Sequence, residues 1–295
     1  MVSAAPFLKD MTKGIILIAY GKPEYIYMAA HMAASLRYYS PDIPITILHD
    51  DNIRYLPTQY YEFIDGFVEM DSRHLKTNGK IDPGKAKCNI IHYLPYDLNL
   101  YLDVDGLCIG DVTPLFDTDK DFCVEVTGKG GYQDDIEYNH WANPEDQWEH
   151  FELDDDTVLR TVQSSSMLFR KGEFCDNLQH ALNDYFDFPH AKLKNHWGWG
   201  IPDELIYSGV LAKMKHDPSF NQSVVFFGHV HSPLSFKEIH EKYKVLSMYG
   251  NGKGRTLVKL KYIDWYNRLN INIHDFLKID RIKEIQRLMK GKHVG

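Results

Sequence analysis

The chain is predicted to fold as an α/β protein, with a mostly parallel sheet flanked by helices and a helical extension at its C-terminal end. Three observations predict this. Short apolar runs rich in β-branched residues alternate with stretches of helical length. One such run, Leu98-Asn-Leu-Tyr-Leu-Asp-Val-Asp-Gly106, ends in two carboxylates one residue apart. The 295 residues, 44% of them hydrophobic, permit one large domain or two small ones with a real core.

The elements follow in order. Gly14-Ile-Ile-Leu-Ile-Ala-Tyr20 reads as a buried strand, and Gly21-Lys-Pro23 turns the chain into a helix expected over Pro23–Tyr39. Strands are expected at Ile45–His49 and Phe67–Met70, a helix over Lys85–Leu94, and the acid-tipped strand at Asn99–Val104. This alternation implies parallel strands joined by crossover helices. Beyond it come strands at Phe122–Val126 and Thr161–Phe169 and helices over Glu173–Phe186 and Pro202–Met214, with Pro202 suited to a first helical turn. Short strands near Val224–Phe227 and Val245–Tyr249 precede a Tyr- and Lys-rich region that ends in a helix over Asp280–Lys290. No internal repeat or low-complexity linker interrupts the chain.

The acid pair carries the first chemical signal. On an extended backbone positions i and i+2 face the same side, so Asp103 and Asp105 can offer oxygens to one divalent cation at the carboxyl edge of a sheet. Asp-x-Asp occurs four times, but only this pair follows a strand-like apolar run. Two carboxylates so placed repel unless something positive lies between them, and hard, oxygen-seeking Mg²⁺ or Mn²⁺ suits them.

Charge divides the chain. Its net charge is −8, yet from Lys253 onward eleven Lys/Arg face four Asp/Glu. Such a basic tail suits an anionic partner, nucleic acid among them. Conversely, Asp134–Asp156 holds ten acids and no Lys or Arg, with Trp141 and Trp148 among them, and reads as a loop or lid. No apolar run approaches the roughly 18–20 residues that span a bilayer, residues 1–10 lack a secretory pattern, and four cysteines without a CxxC fit a reducing compartment, so a cytoplasmic location without a transmembrane segment is expected.

The order of features resembles the GT-A fold glycosyltransferases, in particular the retaining glycogenin-like and bacterial galactosyltransferase-like families. The resemblance rests on Leu100-Tyr-Leu-Asp-Val-Asp105 followed by Gly110-Asp-Val-Thr-Pro-Leu-Phe116, and covers about residues 14–255. It implies a nucleotide-sugar domain over residues 11–255, a basic extension over 256–295, and an enzyme that moves a sugar from a nucleotide-diphosphate sugar, a UDP-sugar first among them, with retention. By the same resemblance Ala19 and Tyr20 touch the nucleotide, Lys85 or Lys87 in Pro83-Gly-Lys-Ala-Lys87 supplies a cation, and Asp103 and Asp105 hold Mn²⁺ or Mg²⁺. Gln163 of Gln163-Ser-Ser-Ser-Met-Leu-Phe169 takes the place of the family's Asn, and Asp203 of Pro202-Asp-Glu204 lies near the donor sugar, whereas Glu204 departs from the family's Gln. In Ser247-Met-Tyr-Gly-Asn-Gly-Lys253, Gly250 and Lys253 match the phosphate-holding segment, but Ser247 stands where the family has its third metal ligand, a His. Water or His229/His231 could supply that ligand, although a structural or surface role suits these histidines better. Gly130-Gly131 and the glycines flanking Trp197 and Trp199 read as acceptor walls.

The chemistry follows from charge. Cleaving the bond from an anomeric carbon to a diphosphate builds negative charge on the β-phosphate, which a metal and lysines stabilise. Two rival readings differ in class. Asp103-Val-Asp-Gly106 after an apolar strand is also a phosphohydrolase nucleophile pattern of the haloacid-dehalogenase type, although Leu107 stands where a Thr or Val is usual. Ser247 in place of the His motivates a non-catalytic sugar-nucleotide or nucleic-acid binding protein. The acceptor is not legible in the sequence.

Overall fold

The computed structural model describes residues 12–56, 58–132, 141–188, 193, 201–227 and 236–247. The first half runs β1 (Lys13–Ala19), α1 (Pro23–Tyr39), β2 (Ile45–His49), β3 (Gly66–Glu69), α2 (Ser72–Leu75), the hairpin β4 (Lys76–Thr77) and β5 (Lys80–Ile81), α3 (Pro83–Cys88), β6 (Leu98–Leu102) and β7 (Gly106–Cys108). The second runs β8 (Phe122–Gly130), α4 (Pro144–Phe151), β9 (Leu159–Arg170), α5 (Glu173–Tyr185), α6 (Asp203–Lys213), β10 (Val225–Phe227), α7 (Phe236–Lys242) and β11 (Val245–Ser247).

Six strands form the central sheet in the order β3-β2-β1-β6-β9-β8. The first four are parallel, and β9 and β8 join antiparallel. Strand β1 is apolar at nearly every position because both faces of the sheet are covered. The alternation is simple: Ile15, Leu17 and Ala19 pack with α1, while Ile16 and Ile18 join the layer of α5 and α6. Chain order runs outward from β1 through β2 and β3 on one side and to β6 on the other, so a crevice opens between the carboxyl ends of β1 and β6. Ligands of open α/β sheets bind at such a switch point. A small sheet, β10-β11-β7, lies beyond the end of β6.

Several expectations need correction. The helix expected over Lys85–Leu94 ends at Cys88. Asn89 closes it, its side-chain amide donating to the Lys85 carbonyl at 2.8 Å, and a 3-10 turn follows over Ile90–Tyr93. Pro202 precedes the first turn of α6 rather than lying in it. Part of the acidic segment is helix rather than loop: Pro144–Phe151 forms α4, which buries Gln147, Trp148 and Phe151 on one side, and residues 134–140 lie outside the described residues. Strands β8 and β9 run longer than expected, and α2, the β4–β5 hairpin, β7 and α7 went unanticipated. The helix over 280–290, the end of the strand at 248–249 and the division at 255/256 fall outside the described residues. No helix among the described residues is long and apolar enough to cross a membrane, and all four cysteines are free and buried.

Candidate active site

The crevice is built around a distortion of β9. Between Val124↔Met167 and Glu125↔Gln163 the β8–β9 register shifts, leaving Ser164, Ser165 and Ser166 as a bulge on β9. Bulges bend a strand and re-aim its side chains. On the opposite edge the bulge stays tied to the acid-tipped strand: Leu102 pairs with Ser166, and the Asp103 N–H donates to the Ser165 carbonyl at 2.9 Å. Asp103 is thereby fixed at the mouth of the sheet.

Lys87, on the last turn of α3, is the centre of the site. Its ammonium lies 2.9 Å from Asp103 Oδ1 and 3.1 Å from Oδ2, donates to Ser164 Oγ at 3.1 Å, and reaches Asp203 Oδ2 at 3.9 Å. It also sits 5.7 Å from the centre of the Tyr101 ring, whose hydroxyl donates to Asp103 Oδ1. Burial alone would lower the lysine's pKa, but Asp103, Tyr101 and Asp203 overcome it and hold the ammonium protonated well above the usual range. The approach of α3 to α6 depends on Gly84, where a Cβ would lie 2.0 Å from the Ile201 carbonyl oxygen. Any side chain there would drive the two helices apart, and with them Lys87 from Asp203.

Two carboxylates open α6. Asp203 has its pKa raised by burial, against the pull of Lys87, with Asp103 adding to the rise. Glu204 accepts from the Trp141 indole N–H at 3.0 Å, and burial together with Asp203 pushes its pKa up to about 7. On the other side of the crevice, Gly21 turns the chain after Tyr20 with φ +80°, and its N–H donates to Asp50 Oδ2 at 2.9 Å. Tyr20 stacks on Tyr25 at 6.5 Å, and burial raises its phenol far above the ordinary value.

The structure sorts the residues singled out in the sequence. Tyr20, Lys87, Asp103 and Asp203 form one electrostatic cluster, and Ala19 is buried at the end of β1 beside it. Lys85 turns away, its ammonium donating to the Lys76 carbonyl at 3.0 Å. Gln163 lies at the start of the bulge in register with Glu125, and it is the next residue, Ser164, that contacts Lys87. Asp105 precedes β7, whose Gly106 is in register with Ser247 of β11. Gly250, Lys253, His229, His231, Trp197 and Trp199 lie outside the described residues. Sequence reasoning assigned no role to Ser164, Tyr101 or the Glu204–Trp141 pair. The serine run and the departure at Glu204 were visible signals, but nothing local linked either to Lys87 or Trp141.

Asp103 and Asp105 present carboxylate oxygens, and the β7–β11 pairing brings the Ser247 position alongside. An all-oxygen set of this kind fits a hard divalent cation. Among the described residues no group of three His, Cys, Asp or Glu gathers to hold a metal, so the fit rests on the acid pair with the serine position and water.

Neither a family model nor a curated protein sequence matches the chain. Solved structures do. The galactosyltransferase LgtC in complex with donor and acceptor sugar analogues superposes with a TM-score of 0.52 at 14% identity, covering 79% of this chain and 86% of that one. An active-site mutant of LgtC gives the same score and identity over 81% and 88%. The bifunctional glycosyltransferase WbbM gives a TM-score of 0.54 at 13% identity, with 83% of this chain aligned to 47% of WbbM. The chain thus has the fold of these enzymes, the GT-A glycosyltransferase fold.

Proposed function

We infer that the protein is a glycosyltransferase that moves a sugar from a nucleoside-diphosphate sugar, a UDP-sugar in this reading, to an acceptor hydroxyl with retention and with the help of Mg²⁺ or Mn²⁺. The observation that carries the reading is the alternating cluster Asp103–Lys87–Asp203 at the switch point of a GT-A sheet. LgtC, which shares the fold, was crystallised with donor and acceptor sugar analogues, which supports a sugar donor in the same crevice.

In this reading the residues take the following parts. Asp103 and Asp105 would hold the cation, which when bound acts as a Lewis acid toward the diphosphate. Lys87 is pre-placed and permanently charged, so its ammonium meets the negative charge that grows on the leaving phosphate without reorganising. Ser164 and Tyr101 hold Lys87 and Asp103 in place from opposite sides. Asp203, close to Lys87, faces the donor sugar and orients a hydroxyl or steadies positive charge at the anomeric carbon. Tyr20 and Ala19 border the nucleoside, and Lys253 adds a phosphate contact.

The sequence does not name the acceptor; on charge alone we propose that the tail, with eleven basic against four acidic residues from Lys253 onward, guides an anionic polymer, modified DNA or a charged glycan. Removing the chain after Arg255 should weaken acceptor binding and flatten its salt dependence; unchanged binding refutes that part. The donor reading is tested by thermal stabilisation with UDP, GDP, ADP and CMP in the presence of Mg²⁺. Stabilisation by one nucleotide is expected, and none by any of the four would contradict it.

A further inference from the structure

Among the described residues, Asp103, Asp203 and Glu204 lie together around one ammonium, that of Lys87. They do not share it equally. Lys87 lies against Asp103 at 2.9 Å and Asp203 at 3.9 Å, whereas among the described residues the Glu204 carboxylate accepts the neutral indole N–H of Trp141 at 3.0 Å and feels Lys87 only at longer range. When an anion enters, the carboxylate farthest from the cation is the one that gains a proton most readily, because ionised it has the least to offset its charge.

We propose that Glu204 is a positioning residue that takes up a proton from solvent when a nucleoside diphosphate fills the crevice, so that its neutral carboxyl, still held by Trp141, forms the wall behind Asp203. This rests on the donor reading above and adds to it a proton-linked residue at the place where the chain departs from the family's Gln. The groups acting on Glu204 come from each neighbouring element. Its own helix α6 supplies Asp203, α3 supplies Lys87, the end of β6 supplies Asp103, and the segment before α4 supplies Trp141. Strand β9 meets this turn with Ser164 against Asp203, and α4 meets α6 further along, where Phe151 packs on Gly209. A pKa of about 7 in the free protein puts the uptake in reach of ordinary buffers.

The consequence is measurable. UDP with one Mg²⁺ still carries net negative charge, so its affinity should rise as pH falls through the Glu204 titration, by about tenfold for each unit that binding lifts that pKa. Calorimetric titration of the whole protein with UDP and Mg²⁺, repeated near pH 8 in buffers of different ionisation enthalpy, reads the protons taken up. Wild type should take up protons and Glu204→Gln should take up measurably fewer while still binding UDP. The terminal phosphate of UDP titrates in both proteins and cancels from the comparison. Trp141→Phe is the second variant: losing the N–H that favours the ionised carboxyl should move the midpoint of uptake to higher pH. Equal uptake by wild type and Glu204→Gln, or an unmoved midpoint in Trp141→Phe, overturns the proposal while leaving the donor reading intact. Failure of wild type to bind UDP overturns both.

Discussion

Replacing Lys87 by Met keeps the length and apolar stem of the side chain but removes the ammonium from between two acids. The wild-type ion pair is partly enclosed, with 18% of the Lys87 side chain, 24% of Asp103 and 15% of Asp203 exposed. Stranding a fully buried charge by deleting its partner costs roughly 3–5 kcal/mol. With this degree of solvent access the loss should be smaller, about 2–3 kcal/mol. The pH dependence identifies the cause. The Lys87 pKa is raised, so its stabilisation is complete below the unfolded lysine value and is lost only as pH rises through the higher folded one; across neutral pH it is fully present in wild type. In the variant Asp203, already raised by burial, loses the charge that lowered it and rises further. An acid with a raised folded pKa stabilises most below its unfolded value and loses that contribution as pH climbs, so the deficit of Lys87→Met should shrink from about pH 7 to about pH 5. Urea unfolding at both pH values measures it, and Lys87→Met/Asp103→Asn should recover part of the loss. A deficit below about 1 kcal/mol, or one that does not change with pH, would refute the claim that Lys87 neutralises this cluster, since exposed pairs give about that much or less.

Other outcomes follow from the same geometry. Gly84→Ala places a Cβ 2.0 Å from the Ile201 carbonyl and should cost roughly 1–3 kcal/mol in urea unfolding, with donor turnover falling as Lys87 and Asp203 separate; a neutral substitution would mean the helices can part freely. Asp105→Asn should abolish metal-dependent turnover and leave the thermal melt of the free protein nearly unchanged, and full activity would remove Asp105 from the site. Glu125 accepts from the Val224 and Val225 N–H groups at 3.1 and 3.2 Å, and burial raises its pKa to about 7. As a raised acid it favours the folded state most below its unfolded value, so wild-type stability should decline as pH rises through 7 and Glu125→Gln should flatten that slope; identical slopes would contradict the assignment.

What was legible in the sequence was whatever local pattern encodes. Strand β2 and helix α1 appear with their expected bounds, and β1 and β6 within two residues at each end, because β-branched runs and the Gly-Lys-Pro turn act within a few residues. Helix α4 was hidden because its acids dominate the composition, although Trp148 and Phe151 lie three apart on one face. Strands β10 and β11 fall within the short runs expected for them, whereas β7 is three residues long and exists by pairing with β11 across more than 100 residues of chain, which no local window reports. In the cluster, Asp103 was singled out from its strand, and Lys87, Tyr20 and Asp203 from resemblance. Ser164 and Glu204 needed the fold, since one enters through a register shift between β8 and β9 and the other through an indole 63 residues away.

The central claim, that the crevice around Asp103, Lys87 and Asp203 cleaves a nucleoside-diphosphate sugar, is tested most directly by nucleotide release. Purified protein would be incubated with UDP-, GDP-, ADP- and CMP-sugars, with Mn²⁺ and again with EDTA. The account predicts slow release from one donor, a UDP-sugar, that stops with EDTA and in Asp105→Asn. Silence across the panel, or release that EDTA leaves untouched, would contradict it.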